Sequence, residues 1–152
     1  MEYSFGGTFG QGTLAPQAFQ RALRNGRREA FFSRFLQRSC RLVPFETIKT
    51  KLNLIARLEK GQQEIQLDRI VGSVGKHEFF SQSLMPLDGS LENRWKNIYD
   101  LMLGLRGYPP IEVYKVNEMY FILDGHHRAS VARSLGNHTI EAYVTEWKVL
   151  PT

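Results

Sequence analysis

The sequence predicts an α+β fold, a domain of interspersed strands and helices preceded by a helix-rich N-terminal lobe. Three observations carry this. Apolar residues recur at helical spacing across residues 14–61. From Glu64 onward, short alternating and apolar runs replace them. The apolar run Tyr120–Leu123 then passes through Asp124-Gly125 into a helix-like Ala-Ser-Val-Ala segment, so a strand hands over to a helix there.

Residues 1–13 are rich in Gly, Ser and Thr, with Tyr3, Phe5 and Phe9 among them, and read as a flexible arm. They lack the basic-then-apolar pattern of a signal peptide. Pro16 to Arg41 reads as helix, with Phe19 and Leu23 four apart and Phe31, Phe35 and Leu36 continuing an apolar face. Asn25-Gly26 is expected to divide it. A second helix is expected from Pro44, a residue suited to a first helical position. Ile48, Leu52, Ile55 and Leu58 keep helical spacing as far as a stop at Gly61.

Glu64–Val71 alternates and reads as a half-buried strand, with Gly72-Ser-Val-Gly75 as the following turn. Ser90 is placed to cap a helix from Leu91 to about Leu105, with Trp95, Ile98, Leu101 and Met102 inward. Ile111–Val116 and Met119–Leu123 read as strands joined by a tight Asn117-Glu118 turn. A helix from His127 to Leu135, stopped by Gly136, and a strand over Thr139–Glu146 complete the chain. The resulting division is a flexible arm (1–13), a basic helical lobe (14–61) and a strand-containing domain (62–152).

At 152 residues the chain can bury one core and a small appended lobe. Cys40 stands alone, which excludes an internal disulfide and a zinc site built on cysteine pairs. No apolar run approaches the roughly 20 residues of a membrane helix, and a cytoplasmic location is expected. Residues 1–61 carry 11 Lys/Arg against 4 Asp/Glu, a net +7, whereas the remainder carries 9 against 11, a net −2. A basic half of this kind suits contact with nucleic acid through residues 14–61, or else a set of solvated helix faces. A homodimer is compatible with a chain of this size.

The chemistry concentrates in Asp124-Gly125-His126-His127-Arg128. A helix start offers unpaired N–H groups and the positive end of a dipole, which together suit an anion. Gly125 allows a tight turn and close approach of a ligand. Asp124 reads either as an acid or as a helix cap. The two imidazoles read as donors to a phosphate or as ordinary core or surface histidines. Because adjacent side chains point apart, no metal site is expected from them alone. Arg128 reads as a phosphate fork or as the ion-pair partner of Asp124 or Glu141. Ser73, between Gly72 and Gly75, reads as a phosphate contact or simply as a turn residue.

Ile65-x-Leu67-x-x-Ile70, Pro109-Pro110-Ile111-Glu-Val113 and Tyr120-Phe-Ile-Leu-Asp-Gly-His-His-Arg128, with Ala129, Ala132 and Ile140–Val144, resemble the ParB/sulfiredoxin superfamily. The likeness covers residues 64–146. It implies a mixed sheet with flanking helices and a loop that wraps nucleotide phosphates. Gly125 is then the close-approach glycine, Arg128 the phosphate-pairing guanidinium, and His126 and His127 the lining of the phosphate side. The implied cofactor is a nucleotide (ATP, ADP or CTP), with Asp124 placed either to hold Mg²⁺ or to accept a hydroxyl proton. Sulfiredoxins carry a catalytic cysteine where this chain has His126, so sulfinic acid reduction is not expected. The CTP-hydrolysing partition proteins carry a glutamate at that place, so their chemistry is not carried over either.

The Asp-Gly-His-His-Arg form is most similar to the free-serine kinase branch, which implies an acidic base near the first strand. Glu78 is the first candidate for it, ahead of Glu64 and Asp68. The preferred expectation is a nucleotide-binding, ParB-like module whose basic lobe touches DNA, RNA or a protein. The alternative is a small phosphotransferase that uses a Mg-nucleotide, with Asp124 and Glu78 as its acids.

Overall fold

A computed structural model describes residues 11–151, with side chains from Leu14 onward. The expected arm lies outside the described residues over 1–10, and residues 11–13 already belong to the first helix. The chain is α+β, as the sequence predicts. Four helices, α1 (Gln11–Phe35), α2 (Phe45–Lys51), α3 (Glu92–Leu103) and α4 (His126–Ser134), surround one sheet. Its strands are β1 (Val43–Pro44), β2 (Leu54–Gln66), β3 (Ile70–Ser73), β4 (Ile111–Val116), β5 (Met119–Asp124) and β6 (Thr139–Val149).

The strand order is β1-β3-β5-β4-β6-β2. Parallel pairs join β1 to β3, β3 to β5 and β4 to β6, and antiparallel pairs join β4 to β5 and β2 to β6, so the sheet is mixed. The β4–β5 hairpin turns at Asn117, whose φ of 52° is the left-handed conformation such a turn requires.

Each face of the sheet has its own core. Alternation along the strands sends Ile111, Val113 and Ile122 toward Ala129 and Ala132 of α4. The opposite face carries Phe121 and Val116, packed with Phe45, Ile48, Tyr114 and Trp147 beneath α2. A third cluster joins α1, α3 and α4 through Phe19, Leu23, Trp95, Tyr99 and Val131. Phe19 and Trp95 are fully buried in an edge-to-face pair, and burial of each side chain contributes roughly 1.5–3 kcal/mol. Trp95 also donates Nε1–H to Ser130 Oγ at 2.9 Å, which ties α3 to α4 and accounts for that buried serine.

Ser90 lies in a 3₁₀ turn (Gly89–Leu91) and does not cap α3, and Leu101, expected inward, is exposed. Four further expectations about elements need correction. First, α1 runs unbroken through Asn25-Gly26. A Cβ at Gly26 would meet the Pro86 carbonyl oxygen at 2.2 Å, so this glycine serves close packing and not a break. Second, the helix expected from Pro44 starts at Phe45, with Pro44 an extended residue before it, and ends at Lys51, and residues 54–61 belong to β2. Pairing with β6 in register from Leu54↔Val149 to Gln66↔Thr139 overrides the helical spacing. The sheet therefore takes strands from both sides of the expected 61/62 boundary. Third, the strand expected over Glu64–Val71 is interrupted by a 3₁₀ turn at Leu67–Arg69. Fourth, Gly72 and Ser73 lie in β3 and not in a turn. A Cβ at Gly72 would meet the Val43 carbonyl oxygen at 2.3 Å and the Phe121 ring at 2.4 Å. Among the described residues no helix is long and apolar enough to cross a membrane.

Candidate functional site

Because β3 and β5 run parallel, with Ser73 opposite Ile122, both strands end at the same edge of the sheet. The carboxyl ends of neighbouring parallel strands are where open sheets most readily leave a ligand crevice. The chain leaving β3 brings Lys76 to that edge, and the chain leaving β5 turns at Gly125 into α4. A cavity of about 250 Å³ lies there. Asp124, Gly125, His126, His127 and Arg128 line it, together with Lys76 from the β3 side and Arg94 from α3. Ile98, Leu101 and Pro109 form its apolar wall.

Gly125 is the N-cap of α4, with φ 105° and ψ 25°. Its missing side chain matters twice. The left-handed φ disfavours other residues, and a Cβ would lie 2.4 Å from Ile111 Cγ2. The space at this glycine is filled by the β4 side chain, so packing against β4 accounts for it without a ligand. No side chain caps α4. Its first N–H groups, which have no partner within a helix, are left without a side-chain acceptor.

Asp124 does not cap the helix. Its Oδ2 accepts from Arg128 at 2.9 Å, and its carboxyl group is largely exposed. Arg128 also donates to the Pro109 and Pro110 carbonyls, both at 2.7 Å. Three of its five N–H donors are thus engaged within the protein, and the guanidinium braces the loop before β4 against the start of α4.

Ser73 stands behind the loop. Its hydroxyl donates to the Gly75 carbonyl at 2.7 Å, and Nε2 of His126 lies 2.5 Å from the same oxygen. A carbonyl can only accept, so the single hydroxyl proton goes to Gly75 and Nε2–H of His126 donates to Ser73 Oγ. Phe80 stacks at 6.0 Å from His126 and edge-on at 5.3 Å from His127. Both histidines are buried, and Nε2 of His127 has no hydrogen-bond partner. Burial first, and then the positive field of Lys76, pushes the His126 imidazole down to about 4, although Asp124 pulls the other way. Burial, followed by Arg94 and Lys76, pushes His127 down to about 4 as well. Both rings are therefore neutral at pH 7. The positive character of the cavity comes from Lys76, Arg94 and the start of α4.

The sequence-predicted loop residues come together here, and Ser73 supports them. Glu78 does not join them. It lines a separate depression with Arg27, Arg34, Arg38, Arg41 and Asp88, which also holds Cys40. Asp68 pairs with Arg133, and Glu64 sits on exposed β2 opposite Glu141. Asp124 is the one carboxylate lining the cavity among the described residues. No group of three or more His, Cys, Asp or Glu side chains gathers to hold a metal ion among them. Sequence reasoning missed Lys76 and Arg94. The faint signal for Lys76 was its place directly after Gly72-Ser-Val-Gly75, and Arg94 gave none.

No protein-family model matches the chain, and no curated protein matches it. Among solved structures, the crystal structure of sulfiredoxin from Arabidopsis thaliana is similar to it. The identity is 23%, the TM-score is 0.41, and the match covers 55% of this chain and 82% of that one.

Proposed function

We propose that this chain is a binding module for a phosphorylated ligand, a nucleotide by its resemblance, seated at the start of α4. The observation that carries the reading is the cavity itself, where Lys76 and Arg94 face a helix start that no side chain caps. The unpartnered Nε2 of the buried His127 adds a polar atom that the protein leaves unsatisfied. At about 250 Å³ the cavity falls just below the roughly 300–1,000 Å³ of pockets that enclose drug-sized ligands. It suits the phosphate-bearing end of a nucleotide, with the rest lying outside. Mg²⁺ would come with those phosphates, since Asp124 already shares one oxygen with Arg128.

The alternative, a phosphotransferase that uses a Mg-nucleotide, asks for a second acid facing Asp124. Glu78 lines another depression, so binding without turnover is the better-supported reading. The expectation of nucleic-acid contact through the basic N-terminal segment rests on charge. Arg21, Arg24, Arg27 and Arg28 lie exposed along α1.

A thermal-shift screen against ATP, ADP, CTP and GTP, with and without Mg²⁺, tests the phosphate reading. A bound ligand raises the melting temperature by mass action, and Arg94→Met is expected to reduce the rise. A screen without any rise would overturn it.

A further inference from the structure

We propose that single-stranded nucleic acid docks on the second half of α1, with phosphates in the cleft of Arg27, Arg34, Arg38 and Arg41 and bases against Phe31 and Phe35. This deepens the nucleic-acid reading above and rests on it.

The first half of α1 is held in the core by Phe19 and Leu23, and Gly26 abuts Pro86. Beyond that point the helix leaves its apolar residues outside. Phe31 is 68% exposed and Phe35 79%, one helical turn apart, with Phe32 and Leu36 also exposed beside them. Exposed aromatic residues in such a cluster mark a surface with a partner. The charge around them names its sign. From Arg21 to Arg41 the chain carries seven arginines, no lysine, and one carboxylate, Glu29. Glu29 itself accepts a hydrogen bond from Ser83 N–H at 3.2 Å.

Four of the arginines converge. Arg27, Arg34, Arg38 and Arg41 line one depression of about 510 Å³, and none of them makes an ion pair among the described residues. Two carboxylates, Glu78 and Asp88, share the depression. Asp88 is turned to its own backbone, accepting from Ser90 N–H at 2.8 Å. Four guanidinium groups against two carboxylates leave a cationic cleft. Its neighbouring hollow is lined by Arg27, Ala30, Phe31 and Arg34, so an aromatic ring and two of the same arginines share one wall.

This juxtaposition selects the partner. A polyanion with flat apolar groups at regular intervals matches arginines interleaved with exposed phenylalanines, since phosphates pair with the planar guanidinium and bases stack on the rings. A duplex hides its base faces, so the phenylalanines favour a single strand. An anionic membrane would also attract arginines, but an interfacial helix presents its cations along the flanks of a convex apolar face. Here they converge in a concavity.

The test is fluorescence anisotropy on the full chain with labelled oligo-dT, a duplex of equal length and anionic phospholipid vesicles. Wild type is compared with R34Q/R38Q and with F31A/F35A, all at exposed positions. Oligo-dT is expected to bind more tightly than duplex. With four phosphates contacted, its affinity is expected to fall about fifty-fold between roughly 50 and 200 mM salt. Each double variant is expected to bind about tenfold more weakly, with nucleotide binding at the α4 cavity unchanged. Equal binding of duplex and oligo-dT, with F31A/F35A unaffected, would overturn the single-strand docking and leave the nucleic-acid reading standing. Binding of neither nucleic acid would overturn both, and capture by vesicles alone would assign the surface to a membrane.

Discussion

The Ser73 hydroxyl lies 2.5 Å from Nε2 of His126, and this contact ties the end of β3 to the first residue of α4. The two residues are 53 apart in sequence. His126 lines the cavity, as does Lys76, three residues beyond Ser73. Replacing Ser73 with Ala leaves a buried ring N–H without its acceptor. A loss of about 1–3 kcal/mol is expected, read from urea unfolding. Nitrogen NMR should also show His126 protonated at Nε2 in wild type.

Acid should weaken the fold through the same histidines. Both have folded values near 4 against 6.5 in the unfolded chain. Below pH 6.5 the unfolded state binds more protons, so stability is full above that value and is lost as pH falls toward 4. A difference of a few kcal/mol is expected between pH 7 and pH 4. His127→Phe should flatten part of that slope, which urea unfolding at several pH values measures.

Gly125→Ala should be costly on two counts. The left-handed φ is strained for alanine, and the new Cβ would press on Ile111. About 2–4 kcal/mol is expected. Gly136 also has a positive φ but no atom within 4 Å of a built Cβ, so Gly136→Ala should cost about 1 kcal/mol. Comparing the two melting curves separates strain from packing.

Arg128→Lys is not expected to be conservative. A lysine cannot reproduce the fork that reaches Pro109, Pro110 and Asp124 together. A loss of about 1–3 kcal/mol in stability should accompany any loss of ligand binding. The stability loss should be present without ligand.

Local signals made much of this fold legible. The β4–β5 hairpin, α3 and α4 each rest on residues close in sequence, and the Asp124–Arg128 turn stands where its strand-to-helix handover predicts. What failed depended on distant partners. Ile55 and Leu58 mimic the continuation of the Ile48–Leu52 helix, yet long-range pairing with β6 makes them strand. Gly26 and Gly72 look like punctuation, yet each makes room for a remote backbone carbonyl, that of Pro86 or of Val43. The site follows the same rule. Its loop is one contiguous motif and could be read, but Lys76 and Arg94 reach it only through the sheet and α3. The neutral state of the histidines was equally hidden, because burial sets it.

The start of α4, with Lys76 and Arg94, is proposed to hold a phosphate. Isothermal titration of wild type and of the Lys76→Met/Arg94→Met pair with ATP, ADP, CTP and GTP in turn tests it most directly. Both side chains are exposed, so the pair should fold. The expected result is binding by wild type and at least tenfold weaker binding by the pair, as for the loss of charge-assisted contacts worth about 1.5–3 kcal/mol. Equal affinity in the two proteins, or no heat from wild type with any of the four nucleotides, would contradict the account.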